Sequence, residues 1–327
     1  MSHHLGLHPE IWMPPLKEIH YFDEKVYESA NVAPRLLRKL LGGSVVDRRW
    51  RRQVRRRSGR YLRRVSRKRA KTLSREDLRW DLRYYAGRPD DRWYAALFEP
   101  GRGKVVGEIT PSYSMLGPDA VAHVNRLMPD AKIIFMMRNP IERAWSQAVM
   151  HFGKIEKRAV ASVGEDRLRR NFESEGSLLR TDYLQTLEVW REFYQEDRIF
   201  VGFLEDVSMF PAELLSRLYA FLDVDPSFRP TGVEGKVHSR SASRAPADAL
   251  VYLARLHRGD TARLSGRFGG YADFWRHCAE RLSEHPPSEE SLPYPLWESF
   301  LWEDWINGAG ATVFREDGPR SQPLSSF

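Results

Sequence analysis

Two short apolar runs, Lys132–Met137 (KIIFMM) and Arg198–Phe203 (RIFVGF), constrain the fold of this 327-residue chain more than any other feature. An apolar run of that length suits a strand buried on both faces, as in a parallel sheet covered by helices. The flanking sequence agrees. Pro140 is well placed as the first residue of a helix reaching about Phe152, because a helix start does not need the N–H that proline lacks. Tyr183–Tyr194 carries Leu184, Leu187, Val189, Trp190 and Phe193 at helical spacing, and Pro211–Leu222 reads as the next helix. Upstream, Lys104–Ile109 (KVVGEI) is a third strand run, and Pro118–Met128 is a helix stopped by Pro129. Strands alternating with helices of about 10–15 residues predict an α/β chain with a central parallel sheet. Thr231–Phe327 reads as helices and loops with no strong strand, and 318–327 as a loose tail.

Residues 24–103 are a different text: polar, Arg-rich and periodic at three to four residues, which predicts a helical insertion. Trp50, Val54, Tyr61 and Val65 make a narrow apolar stripe, Ser58-Gly59 a break, and Arg75–Phe98 a second helical run. Segment 48–71 holds 14 Lys+Arg and no acid. The whole chain carries +8, so the remainder sums to −6. The basicity is therefore local and says nothing about the class of the protein. It fits an arm for an anionic polymer, an anionic membrane surface, or solvent alone. No recognised nucleic-acid fold motif accompanies it, so no specific nucleic acid is expected. No stretch approaches the roughly 20 apolar residues of a membrane span. One cysteine, Cys278, excludes an internal disulfide and predicts a reducing, cytoplasmic setting and an inert core position.

Three segments carry candidate chemistry. In KIIFMMRNPIERAWSQ (132–147), Arg138 sits where a buried strand ends, the edge at which open parallel sheets bind ligands. It either grips an anion, with Ser146 two helical turns on adding a bond, or pairs with a carboxylate such as Glu142. In GEITPSYS (107–114), Glu108 also follows a strand. It is either a general base or a carboxylate capping a turn. In MPPLKEIHYFD (13–23), Lys17 follows a rigid diproline. It either offsets charge on a transferred group or stands free on a loop. His20 reads as a hydrogen-bonded, half-buried histidine. No His/Cys/Asp cluster has metal-ligand spacing, so no metal is expected.

Together these segments resemble the sulfotransferases that use 3′-phosphoadenosine-5′-phosphosulfate (PAPS), nearest to the bacterial and carbohydrate (heparan-type) branch. The likeness covers residues 7–23 and 104–225, including TDYLQTLEVWREFYQEDRIFVGFLEDV (181–207), and is thin in the insertion and the last hundred residues. It implies a P-loop NTPase-like three-layer α/β fold, one sulfotransferase domain over 1–327 with the basic insertion inside it. It also implies sulfuryl transfer to a hydroxyl or amine of a glycan, lipid or small metabolite. By the same resemblance Arg138 and Ser146 hold the donor's 3′-phosphate, Glu108 is the base on the acceptor, and Lys17 lies near the sulfuryl group.

The family also has a strand and a Gly-rich loop, P-K-x-G-T-T-S, that cradles the 5′-phosphosulfate. Here the sequence starts at MSHHLGLHPEI, like the end of the helix that follows that loop. The resemblance therefore implies that about 15–25 residues precede Met1, counting one strand, a loop and part of a helix. The alternatives left open are a catalytically inactive relative and an anionic-polymer or membrane-binding protein working through 48–71.

Overall fold

The computed structural model describes residues 2–23, 74–157, 160–230, 243–308 and 321–327. The Arg-rich segment 48–71, and all of the insertion before Ser74, lie outside the described residues. The chain forms two compact units, Met1–Pro129 and Asp130–Phe327.

In the first unit, β1 (Ile11–Trp12) pairs in parallel with β2 (Val105–Val106). β2 is shorter than the Lys104–Ile109 run read from the sequence. Pro14 and Pro15 lack ladder donors just beyond β1. Gly101 lies against this pair: a Cβ there would meet Val106 Cγ1 at 2.5 Å and Trp12 Cβ at 2.9 Å. Trp12 Cβ is fixed to the backbone and cannot swing away. Gly101→Ala is therefore expected to destabilise the protein by about 1–3 kcal/mol. Denaturant titration of the full chain checks this, and an unchanged midpoint would mean the strand pair yields without cost.

The expected helical run 75–98 is two helices, Arg75–Ala86 and Asp91–Ala96. Pro89 disfavours helical geometry at Arg88, which explains the break. The Asp90 side chain then caps the second helix by accepting from the Trp93 N–H at 2.8 Å. The two helices are tied by indole donors: Trp93 Nε1 to Arg83 O and Trp80 Nε1 to Leu97 O, each 2.8 Å. Tyr21, Phe22, Trp80, Tyr84, Trp93 and Tyr94 form the aromatic core of this unit.

The second unit holds the two runs from which the fold was read. β3 (Ile133–Met137) pairs in parallel and in register with β4 (Ile199–Phe203). All five residues of β4 are buried, as the sequence predicts. In β3 only Met137 is fully buried. β4 lies between β3 and β7 in the sheet, whereas β3 has one hydrogen-bonded neighbour among the described residues. The helices Pro140–Met150, Tyr183–Arg191 and Pro211–Phe221 form where the sequence places them.

The C-terminal third differs from expectation in two respects. Besides the helices Ala247–Leu256, Arg258–Phe268 and Tyr271–Glu284, it contains an antiparallel pair, β5 (Ser243–Pro246) with β6 (Ser291–Tyr294). The second difference is the tail. β7 (Gln322–Pro323) adds antiparallel to β4, and buried Ser321 donates its N–H and hydroxyl to Asp206 at 2.8 and 2.6 Å. Leu324 is buried, and Arg267 Nη1 donates to the Phe327 carbonyl. From Ser321 onward the chain end is thus packed rather than loose. Mixed α/β structure with parallel strand pairs is what the chain adopts. Among the described residues no helix is long and apolar enough to cross a membrane, and no cluster of three His, Cys, Asp or Glu could hold a metal ion.

Candidate active site

In the first unit, the diproline segment and the turn after β2 are stitched together. Glu18 and His20 both have left-handed backbones, φ 58° and 57°, which cost non-glycine residues about 1–3 kcal/mol each. Between them Ile19 turns inward: its side chain is buried and its N–H donates to Glu108 Oε2 at 3.3 Å. The neighbouring Glu18 N–H donates to Ile109 O at 3.1 Å.

Glu108 is the centre of this arrangement. Besides Ile19, it accepts from Thr110 Oγ1 at 2.6 Å, Tyr94 OH at 2.7 Å and Tyr113 OH at 3.0 Å. Four donors match the roughly four lone-pair sites of a carboxylate. Burial pushes the Glu108 carboxyl above the usual carboxylate range. The bonds from Thr110, Tyr94, Tyr113 and Ile19 pull the other way without cancelling it. Burial and the Glu108 charge likewise push the Tyr94 and Tyr113 hydroxyls well above the usual tyrosine range.

Beside it lies a second network. Asp23 Oδ2 accepts from Ser112 Oγ at 2.5 Å and lies 2.7 Å from His20 Nδ1, while His20 Nε2 is 3.4 Å from Glu18 Oε2. The hydrogen bond to Asp23 raises the His20 pKa above its ordinary value despite opposing burial. Burial pushes Asp23 up, but the bonds from His20 and Ser112 outweigh it and hold Asp23 low. His20 is thus the half-buried, bonded histidine expected from the sequence. Lys17 is exposed, and among the described residues it makes no ion pair.

In the second unit, Arg138 follows β3 and Asn139 caps the Pro140–Met150 helix, its Oδ1 accepting from the Ile141 N–H at 3.1 Å. Of the two possibilities for Arg138, pairing with Glu142 is present: Nε and Nη2 lie 3.0 and 2.9 Å from Glu142 Oε2. Nη2 also donates to the Tyr294 hydroxyl, and the guanidinium lies over the Tyr294 ring, 5.1 Å from its centroid. Tyr183 OH donates to the Arg138 carbonyl at 2.9 Å, fixing the backbone there. Burial alone would lower the Arg138 pKa, and the Glu142 carboxylate reverses that. The pairing does not exhaust the side chain. Nη1 has no acceptor among the described residues, and the side chain keeps 20% of its exposure. Ser146 is half-buried on the same helix.

Glu108 and Lys17 therefore belong to one unit and Arg138 and Ser146 to the other. The sequence reading missed the shell around them. Ser112 and Tyr113 lie inside the quoted GEITPSYS segment and Asp23 ends MPPLKEIHYFD, so these three were findable. Tyr94 and Tyr294 come from distant elements and carry no local signal.

The profile of a family described as "Sulfotransferase family" matches residues 20–228, which is well over half of the chain. No curated protein matches the sequence. Among solved structures, a sulfotransferase from Alicyclobacillus acidocaldarius is similar, at 21% identity and a TM-score of 0.48, over 80% of this chain and 87% of that one. Given the family match and the stretch it covers, this chain belongs to the sulfotransferase family.

Proposed function

We propose that the protein moves a sulfuryl group from PAPS to a hydroxyl or amine of a glycan, lipid or small metabolite. The observation that carries this reading is Arg138, a cation at the end of β3 and the start of an eleven-residue helix, with Nη1 unengaged among the described residues. A helix start and a guanidinium together suit a phosphate. In this reading Arg138 and Ser146 bind the donor's 3′-phosphate.

In the transfer, the bond from sulfur to the donor's bridging oxygen breaks and a bond from sulfur to the acceptor oxygen or nitrogen forms. The acceptor proton goes to Glu108, and 3′-phosphoadenosine 5′-phosphate (PAP) leaves with the electron pair of the broken bond. All four acceptor positions of Glu108 are taken, so the acceptor hydroxyl or amine takes the place of one of these donors before its proton is removed. Lys17, exposed and without an ion pair among the described residues, offsets charge near the sulfuryl group. As in phosphoryl transfer, positioning and electrostatics supply most of the catalysis.

The test is transfer from sulfur-labelled PAPS by protein isolated from its native source, offered acidic glycans, neutral glycans, lipids and small amines. Labelled product with PAP release is expected, and acidic glycans should be favoured if segment 48–71 docks the acceptor. No transfer to any of these, together with no PAP binding, would overturn the reading.

A further inference from the structure

In the second unit Met137 and Phe203 pair at the ends of β3 and β4, so Arg138 and Glu205 both lie just past the same ends of adjacent strands, and Glu142 pairs with Arg138. Glu142 and Glu205 are both 0% exposed. Glu142 is fully engaged: Oε2 takes Arg138, and Oε1 accepts from the Leu296 N–H at 2.6 Å. Glu205, two residues past β4 in the short helix Leu204–Met209, is not. Its Oε1 accepts from Trp275 Nε1 at 2.6 Å, but Oε2 is buried without a partner. A buried carboxyl with one bare oxygen beside another carboxylate is poorly placed to hold a charge.

The groups that act on Glu205 come from every side. Arg138 follows β3, Glu142 lies on the Pro140–Met150 helix, Tyr183 on the Tyr183–Arg191 helix, and Cys278 on the Tyr271–Glu284 helix. Arg138 is the cation in this set. Asp206, next to Glu205 in the chain, is already satisfied by Tyr271 OH and by Ser321. Burial first, and the Glu142 charge second, push Glu205 up to about 8.

With Glu205 neutral, Arg138 and Glu142 cancel, and an incoming anion meets a guanidinium edge with no net opposing charge. With Glu205 ionised, the cluster carries one excess negative charge in a poorly screened interior. We propose that Glu205 is a positioning residue for Arg138: as a neutral acid it leaves the guanidinium with one carboxylate and free to hold an anion, and as a carboxylate it weakens that hold. This rests on the reading of Arg138 as the site of the donor's phosphate.

The sign follows directly. Anion affinity is full while Glu205 keeps its proton and falls as pH rises through its pKa. The experiment is calorimetric titration of the full chain with PAP from about pH 7 to about pH 9.5, a range in which the ligand phosphates, with a second pKa of about 6, are already ionised. Wild-type affinity is expected to fall on the order of tenfold across this range. In Glu205→Gln it should stay flat. Trp275→Phe removes a donor that favours the charged form, so its fall should move to higher pH, and this variant serves if Glu205→Gln does not fold. A flat wild type, or equal slopes in wild type and Glu205→Gln, would overturn the proposal while leaving Arg138 as an anion site. No PAP binding at any pH would overturn both.

Discussion

Replacing Glu108 with Gln is expected to lower turnover by about 10²–10⁴-fold, the usual cost of losing a general base, with PAP binding unchanged. The substitution isolates chemistry from structure because the pocket can accept an amide. The Ile19 N–H is a fixed donor and Thr110 Oγ1 faces the same oxygen, so the amide oxygen belongs on that side. The amide nitrogen then faces Tyr94 and Tyr113, whose hydroxyls can turn and accept. Unfolding stability should change by no more than about 1 kcal/mol, the net worth of one hydrogen bond. Burial raises the Glu108 pKa, so the wild-type rate should rise with pH through a point above the ordinary carboxylate range as the base loses its proton. In Glu108→Gln that limb should vanish. The measurements are kcat with sulfur-labelled donor, PAP binding and thermal denaturation. Full activity in the variant would remove Glu108 from the base role.

Arg138→Ala is expected to fail in two ways at once. Losing charge-assisted bonds worth about 1.5–3 kcal/mol each should weaken PAP binding by about 10–100-fold. It also strands Glu142, a wholly buried carboxylate left with only the Leu296 N–H. Breaking a buried ion pair from one side costs about 3–5 kcal/mol. The two effects separate in the double variant Arg138→Met with Glu142→Gln. The methionine fills the space of the arginine stem, and the glutamine still accepts from Leu296 without a charge. Stability should largely return while PAP binding stays weak. If PAP binding returned along with stability, Arg138 would be a structural residue and not a ligand of the donor.

The elements read correctly from the sequence are those whose signal is local. The β3 and β4 runs and the prolines at 118, 140 and 211 that open helices need no distant partner to be recognised. β5 and β6 escaped because their sequences, SRAP and SLPY, are only four residues long and contain proline. They form a strand pair only because each supplies the other's edge. Ser321 escaped for a similar reason. Nothing in SQPLSSF signals burial until Asp206 is found beneath it. The same holds at the site. Motif segments contain Glu108, Lys17, Arg138 and Ser146, whereas Tyr94, Tyr294 and Glu205 act on them across gaps of 14, 156 and 67 positions in the chain.

Four bonds tie residues 18, 19, 21 and 23 to the turn after β2: Glu18 to Ile109, Ile19 to Glu108, Tyr21 to Tyr113 and Ser112 to Asp23. Deleting one residue between Pro15 and Glu18 would misalign all of them together. The chain is therefore least tolerant of a change in length along these few positions, where one lost residue shifts the donors to Glu108, Ile109 and Tyr113 together.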